Sequence, residues 1–158
     1  MVAIRLSSLC LLVFFGTAAA LFGDGVRGTT WGMSPADVIE IEGDDFREHR
    51  HGALRYELSY PDDREVLGVP AIVGYVFERD RLTRVSILWQ RGIMSDDAII
   101  RILERNHGEA YVDTEDEIGW WNSGETTYVV WRRHPTHIAI TYWEGERVRR
   151  AWDEAAEL

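Results

Sequence analysis

The chain has 158 residues, enough for one ordinary domain or for two small units sharing a core, and too few for two large domains. Its 17 basic residues are all arginine and stand against 27 Asp and Glu, giving a formal charge of −10. That balance argues against nucleic acid and anionic lipid as partners, since both need cationic surface to displace counterions.

Residues 1–20 read as a secretory signal. Arg5 supplies a positive start, Leu9 to Phe15 are almost wholly apolar, and Thr17, Ala18, Ala19 and Ala20 offer a small-residue cleavage site, placed after Ala20. A membrane anchor is the alternative, but Gly16 and Thr17 interrupt the apolar run, which falls short of the roughly 20 residues a span requires. Lipid attachment at Cys10 would need a small residue where Leu9 stands. The expectation is therefore a periplasmic or secreted protein with no stable membrane span. Cys10 is the sole cysteine, so the chain beyond Ala20 has no disulfide, thiol nucleophile or cysteine-ligated metal.

After the leader comes GTTWGMSPADVIEIEG, residues 28–43. Ser34 is suited to cap a helix, Pro35 to open it, and Asp37 to reach back to the capping amide, while Met33 and Val38 form the pair expected of a hydrophobic staple. Gly43 stops the helix. It is too short to stand alone and is expected to pack through Val38 and Ile41.

The alternation in ALRYELSY predicts a strand through Leu54, Tyr56, Leu58 and Tyr60, closed by a turn at Pro61, Asp62 and Asp63. AIVGYVF and LTRVSILW predict a hairpin turning around Glu78 to Arg81. GIMSDDAIIRILERNHG, residues 92–108, then restates the first helix: Met94 and Ser95 repeat Met33 and Ser34, and Gly108 closes it. Three strands follow in GWW, TTYVVWRR and THIAITYW, with turns at Asn122, Ser123 and Gly124 and at His134, Pro135 and Thr136. From Arg147, the residues Val148, Ala151, Trp152 and Ala155 recur at helical spacing, predicting a final helix docked through Trp152.

The pattern predicts an α+β protein of two tandem units, residues 21–90 and 91–158. Each is expected to be a helix on a three-stranded antiparallel sheet, with a C-terminal helix closing the second and the whole forming one compact domain.

The helix start Trp31, Gly32, Met33, Ser34, with Val38 and the glycine stop, resembles that of small bacterial envelope proteins of the BamE (SmpA/OmlA) type. The tandem order is similar to the architecture of beta-lactamase inhibitor protein. The resemblance implies a non-enzymatic binding protein and carries over no functional residue. The chain departs from the BamE type in lacking its lipoprotein cysteine.

Chemical motifs are sparse. His49 and His51 form an H-x-H without a third ligand nearby, read as a solvated loop or strand start. VDTEDEIGWW offers Asp113, Glu115 and Glu117 at alternating positions, as in a calcium loop, but Ile118 occupies the glycine position and Gly124 that of the bidentate acid. Nucleophile elbows, phosphate loops and dinucleotide fingerprints are missing from the sequence. No catalytic residue, metal or cofactor is assigned.

The unusual feature is aromatic. Neighbours in a strand point to opposite faces, so Trp120 and Trp121 cannot share a core, and neither can Tyr142 and Trp143. Trp120, Trp121, Trp131, Tyr142 and Trp143, with Tyr128 beside them, are the candidate binding residues, against the plainer expectation of burial between the units. The leading expectation is an exported, non-enzymatic protein–protein interaction module of the bacterial cell envelope, with an envelope protein as its unidentified partner. The alternative is a small-ligand-binding module with an aromatic pocket, and an enzyme of unrecognised type stands third.

Overall fold

A computed structural model describes residues 26–122 and 124–156; residues 1–20, where a signal was expected, and Ser123 lie outside them. The first helix, α1, runs Pro35–Glu42 and carries the full capping box: the Asp37 amide donates to the Ser34 hydroxyl, and the Asp37 carboxylate accepts from the Ser34 amide. The Ser34 hydroxyl, which donates to the same carboxylate, and then the Ser34 amide hold the Asp37 carboxyl below its ordinary value. Four strands follow, β1 (Arg47–Arg50), β2 (Arg55–Val66), β3 (Val69–Glu78) and β4 (Arg81–Gln90). Then come α2 (Asp96–His107), β5 (Val112–Asp113), β6 (Glu117–Trp121), β7 (Thr127–Arg133), β8 (His137–Glu144) and α3 (Gly145–Ala156).

The expectation of two helix-plus-three-strand units is wrong. Eight antiparallel strands, among the described residues, form one continuous sheet in the order β1-β2-β3-β4-β8-β7-β6-β5. Each half supplies four strands, and the last strands of the two halves, β4 and β8, pair over Arg84 to Gln90. The extra strands are the two edges, β1 and β5. All four residues of β1 are exposed and polar, and β5 has only two residues, so neither carries the apolar alternation by which a half-buried strand is read.

A second correction concerns Pro61, Asp62 and Asp63, which do not end a strand. β2 continues through them to Val66, with a register shift against β3 between Tyr60 and Arg64. A bulge absorbs the proline, which has no amide hydrogen to offer a ladder. The β3–β4 hairpin turns on Arg79 and Asp80, both at positive φ, the geometry that matches the right-handed twist of its strands.

One face of the sheet is the core. A cross-strand row of Leu58, Tyr75, Val85, Tyr142, Val129 and Trp120 is fully buried, and Tyr60, Val73, Ile87, Ile140 and Trp131 make the next row. α1 and α2 cover this inner face with Val38, Ile99 and Leu103. Ile41, expected to help dock α1, is exposed instead; the half-buried Ile39 packs on the core in its place.

The Trp31–Gly32 turn locks the same face from its end. Gly32, at φ +84°, donates to the Leu82 carbonyl, the Leu82 amide donates to the Met33 carbonyl, and the Trp31 indole donates to the Thr127 hydroxyl at 2.9 Å. Sequence positions almost a hundred residues apart are thereby tied together. At the far end of α1, the buried Glu42 carboxylate accepts from Arg27 at 2.8 Å and from the Tyr75 hydroxyl. The Arg27 guanidinium is correspondingly held more firmly protonated. Burial and the Glu42 charge raise the Tyr60 hydroxyl to about 12, and that hydroxyl donates to the Gly43 carbonyl.

Candidate functional site

The opposite face of the sheet is built differently. Its central cross-strand row reads Glu57, Val76, Arg84, Trp143, Tyr128, Trp121 from β2 to β6: an acid and an arginine on one side, three aromatic rings on the other. α3 lies over the aromatic part. The helix begins at Gly145, whose amide donates to the Thr126 carbonyl at 2.7 Å and where a Cβ would collide with the Glu125 and Thr126 backbone, so only glycine allows this close start.

Trp152 anchors α3 to the sheet. Its ring meets Trp121 edge-on at 5.7 Å and Tyr128 edge-on at 5.3 Å, and stacks on Tyr111 at 5.5 Å. Trp121 and Tyr128 also contact each other at 4.9 Å, inside the range of attractive aromatic pairs. Tyr128 lies across Gly119, where any side chain would overlap its hydroxyl. Covering a strand glycine with an aromatic ring is a known device for holding both in register.

Between α3 and the sheet runs a cleft of about 650 Å³, floored by Tyr128, Val130 and Trp143 and walled by Val148, Ala151 and Trp152. Glu117 and Arg132, paired at 2.6 Å, and Arg147 supply its polar groups. Burial, then the Glu117 charge, raises the Tyr128 hydroxyl above its ordinary value, so Tyr128 enters the cleft as a neutral donor. Trp143 is half-buried, and the Arg84 guanidinium stands over its ring at 5.0 Å.

The candidate aromatics therefore divide by strand alternation. Trp120, Trp131 and Tyr142 are in the inner core, with the Tyr142 hydroxyl raised in pKa by full burial. Among the described residues the Trp120 and Trp131 indoles find no hydrogen-bond partner, a cost that the size of the apolar rings must outweigh. Trp121, Trp143 and Tyr128 face outward, toward α3. Sequence reasoning missed Tyr111 and the arginines of the outer face, and it treated Trp152 only as a docking residue. The apolar run of β7 and the stripe on α3 were the available signals.

His49 and His51 stand at the exposed β1 edge, where His51 lies 3.8 Å from Glu57. Asp113 and Glu117 belong to the β5–β6 hairpin, and Glu115 is exposed in its turn. Among the described residues, no three His, Cys, Asp or Glu side chains gather closely enough to hold a metal, and no helix is long and apolar enough to cross a membrane. No protein-family model, curated protein or solved structure matches the chain. The outer face has to be interpreted from its own geometry.

Proposed function

We propose that the chain is an exported, non-enzymatic binding module that takes a small, flat, largely apolar ligand in the cleft between α3 and the outer face of the sheet. The observation that carries this reading is the cleft of about 650 Å³ floored by Trp143 and Tyr128 and walled by Trp152. Its size falls in the range of small-molecule sites, which are mostly apolar with a few polar groups to orient the ligand. The BamE-like helix start, read as the mark of a non-enzymatic binding protein, supports the same class.

The test is a titration of the purified protein with a panel of flat apolar and amphiphilic compounds, followed by tryptophan fluorescence. A saturable change that Trp152→Ala abolishes supports the reading. A panel without effect on a folded protein removes it.

A protein partner is the second reading, favoured by the rim of the cleft. Tyr111 is 67 % exposed and stacks on Trp152, itself 38 % exposed, and aromatic residues of this kind dominate binding energy at interfaces. Capture of one envelope protein by the wild type but not by Tyr111→Ala, with no response to the compound panel, would select it.

A further inference from the structure

Beside the aromatic cleft lies a second one of about 600 Å³, between the β3–β4 turn and the start of α3. Its character is opposite to that of the chain as a whole. Five arginines line it, Arg55, Arg79, Arg81, Arg147 and Arg150, against three acids, Glu78, Glu144 and Glu146, in a protein whose formal charge is −10.

Each acid is already engaged: Glu78 by Arg147 at 2.6 Å, Glu146 by Arg150 at 2.8 Å and Glu144 by Arg81 at 4.0 Å. Asp80, the other residue of the turn, interacts with Tyr56 on the inner face. The cleft is left with a local excess of positive charge.

One guanidinium of this cleft, Arg55, and one close to it, Arg84, each carry an Nε–H that no described residue accepts from. Among the described residues, the Nε atoms of Arg55 and of Arg84 are buried without a hydrogen-bond partner, and a buried donor left unpaired is costly unless something supplies an acceptor. Arg84 lies behind the lining of both clefts, over the Trp143 ring that floors the aromatic one. Burial, then the like charge of Arg55, holds the Arg84 guanidinium below its ordinary pKa, with Arg147 adding to the effect and Glu57 and Glu78 opposing it. Arg147 lines both clefts. An occupant of the aromatic cleft thus has a cationic group at one end of its path.

We propose that the ligand is a free amphiphilic anion whose flat apolar body lies under α3 and whose oxyanion group, a carboxylate, sulfonate or phosphate, is held by Arg55, Arg84 and Arg147. This rests on the ligand-binding reading of the aromatic cleft and adds its charge. Planar guanidiniums match oxyanions two bonds at a time, and their bonds to a charged acceptor are stronger than neutral ones. The acidity of the remaining surface repels anionic bilayers while leaving this one cleft attractive to a small anion.

The experiment compares two dyes with the same ring system on the intact protein, followed by dye fluorescence: anilinonaphthalenesulfonate, which is anionic, and N-phenylnaphthylamine, which is neutral. The sulfonate should bind about tenfold more tightly, the worth of one charge-assisted hydrogen bond. Added sodium chloride should narrow that margin in the wild-type protein, and Arg84→Gln and Arg55→Gln should each bring the sulfonate toward the affinity of the neutral dye. Near-ultraviolet circular dichroism confirms that each variant keeps its tertiary packing, and the salt series tests the proposal without any variant.

Equal binding of the two dyes overturns the anion assignment and leaves the aromatic cleft standing as a site for neutral ligands. Binding of neither overturns both. Sedimentation of the protein with phosphatidylglycerol vesicles, with displacement of the dye, would place the anion in a lipid headgroup and overturn the assignment to a free ligand.

Discussion

The two faces of this sheet have aromatic residues in adjacent sequence positions and use them for different purposes. On the inner face, Trp120, Trp131, Tyr75 and Tyr142 are sealed under α1 and α2, and the cluster of Glu42, Arg27 and Tyr75 pins the end of α1. On the outer face, Trp121, Tyr128 and Trp152 touch one another, and Tyr128, Trp152 and Trp143 line a cleft that one shallow helix leaves open. Of α3, only Gly145 is fully buried. The lesson is that an abundance of aromatic residues says little about function until each ring is assigned a face. Stability resides mainly on one side of this sheet and recognition on the other.

The strongest way to break this division is Glu42→Ala, which removes the acceptor shared by Arg27 and Tyr75. Leaving the part-buried Arg27 guanidinium and the buried Tyr75 hydroxyl both without that carboxylate costs up to about 3–5 kcal/mol. The melting temperature should fall sharply, while any protein that remains folded keeps its affinity for the outer-face dye. Loss of affinity in the folded fraction would mean the two faces are coupled.

Gly119→Ala attacks the outer face from within a strand. The new methyl displaces Tyr128, with an expected loss of about 1–3 kcal/mol, typical of overpacking. Dye binding should weaken with it, and unchanged affinity would show that Tyr128 is not part of the floor.

Trp152→Ala should separate the two roles most clearly. It removes three ring contacts worth about 0.5–1.5 kcal/mol each beyond their burial, from a side chain that is already partly exposed. Binding should therefore suffer more than thermal stability. A variant that melts far below the wild type would make α3 a structural element of the core.

The pH response sharpens the comparison from the inner side. Burial lowers the pKa of His107, at the end of α2, below the ordinary imidazole value. The unfolded chain then takes up the proton first, so stability present above pH about 6.5 is lost as the pH falls below that value and through the lowered folded-state pKa. Thermal melts between pH about 8 and about 5 should show this loss, and His107→Gln should reduce it. The smallest effect expected is that of Ser34→Ala, about 1 kcal/mol for a lost helix cap, with no change in dye affinity.

Local chemistry made much of the fold legible. Ser34, Pro35 and Gly43 bracket α1, Ser95 and Gly108 bracket α2, apolar alternation marks β4 and β8, and continuous apolar runs mark β3 and β7. The edges were not legible, because the polar β1 and the two-residue β5 bury too little to leave a pattern. The joining of β4 to β8 is a long-range pairing that no local rule specifies. For the candidate site, alternation was enough to show that Trp120 and Trp121 must part company, but not to say which one faces α3. Arg55, Arg84 and Arg147 were hidden among 17 arginines, since only the fold brings Arg55 and Arg147 to one cleft and sets Arg84 close to both.

The central claim is that the two faces differ in accessibility to a ligand, and the indole N–H region of a heteronuclear NMR spectrum tests it in one titration. Each tryptophan contributes its own signal. On addition of anilinonaphthalenesulfonate, the signals of Trp143, Trp152 and Trp121 should move together and saturate, while those of Trp89, Trp120 and Trp131 stay in place. Movement of the inner set, or of all signals equally, would contradict the division of the sheet into a core face and a binding face.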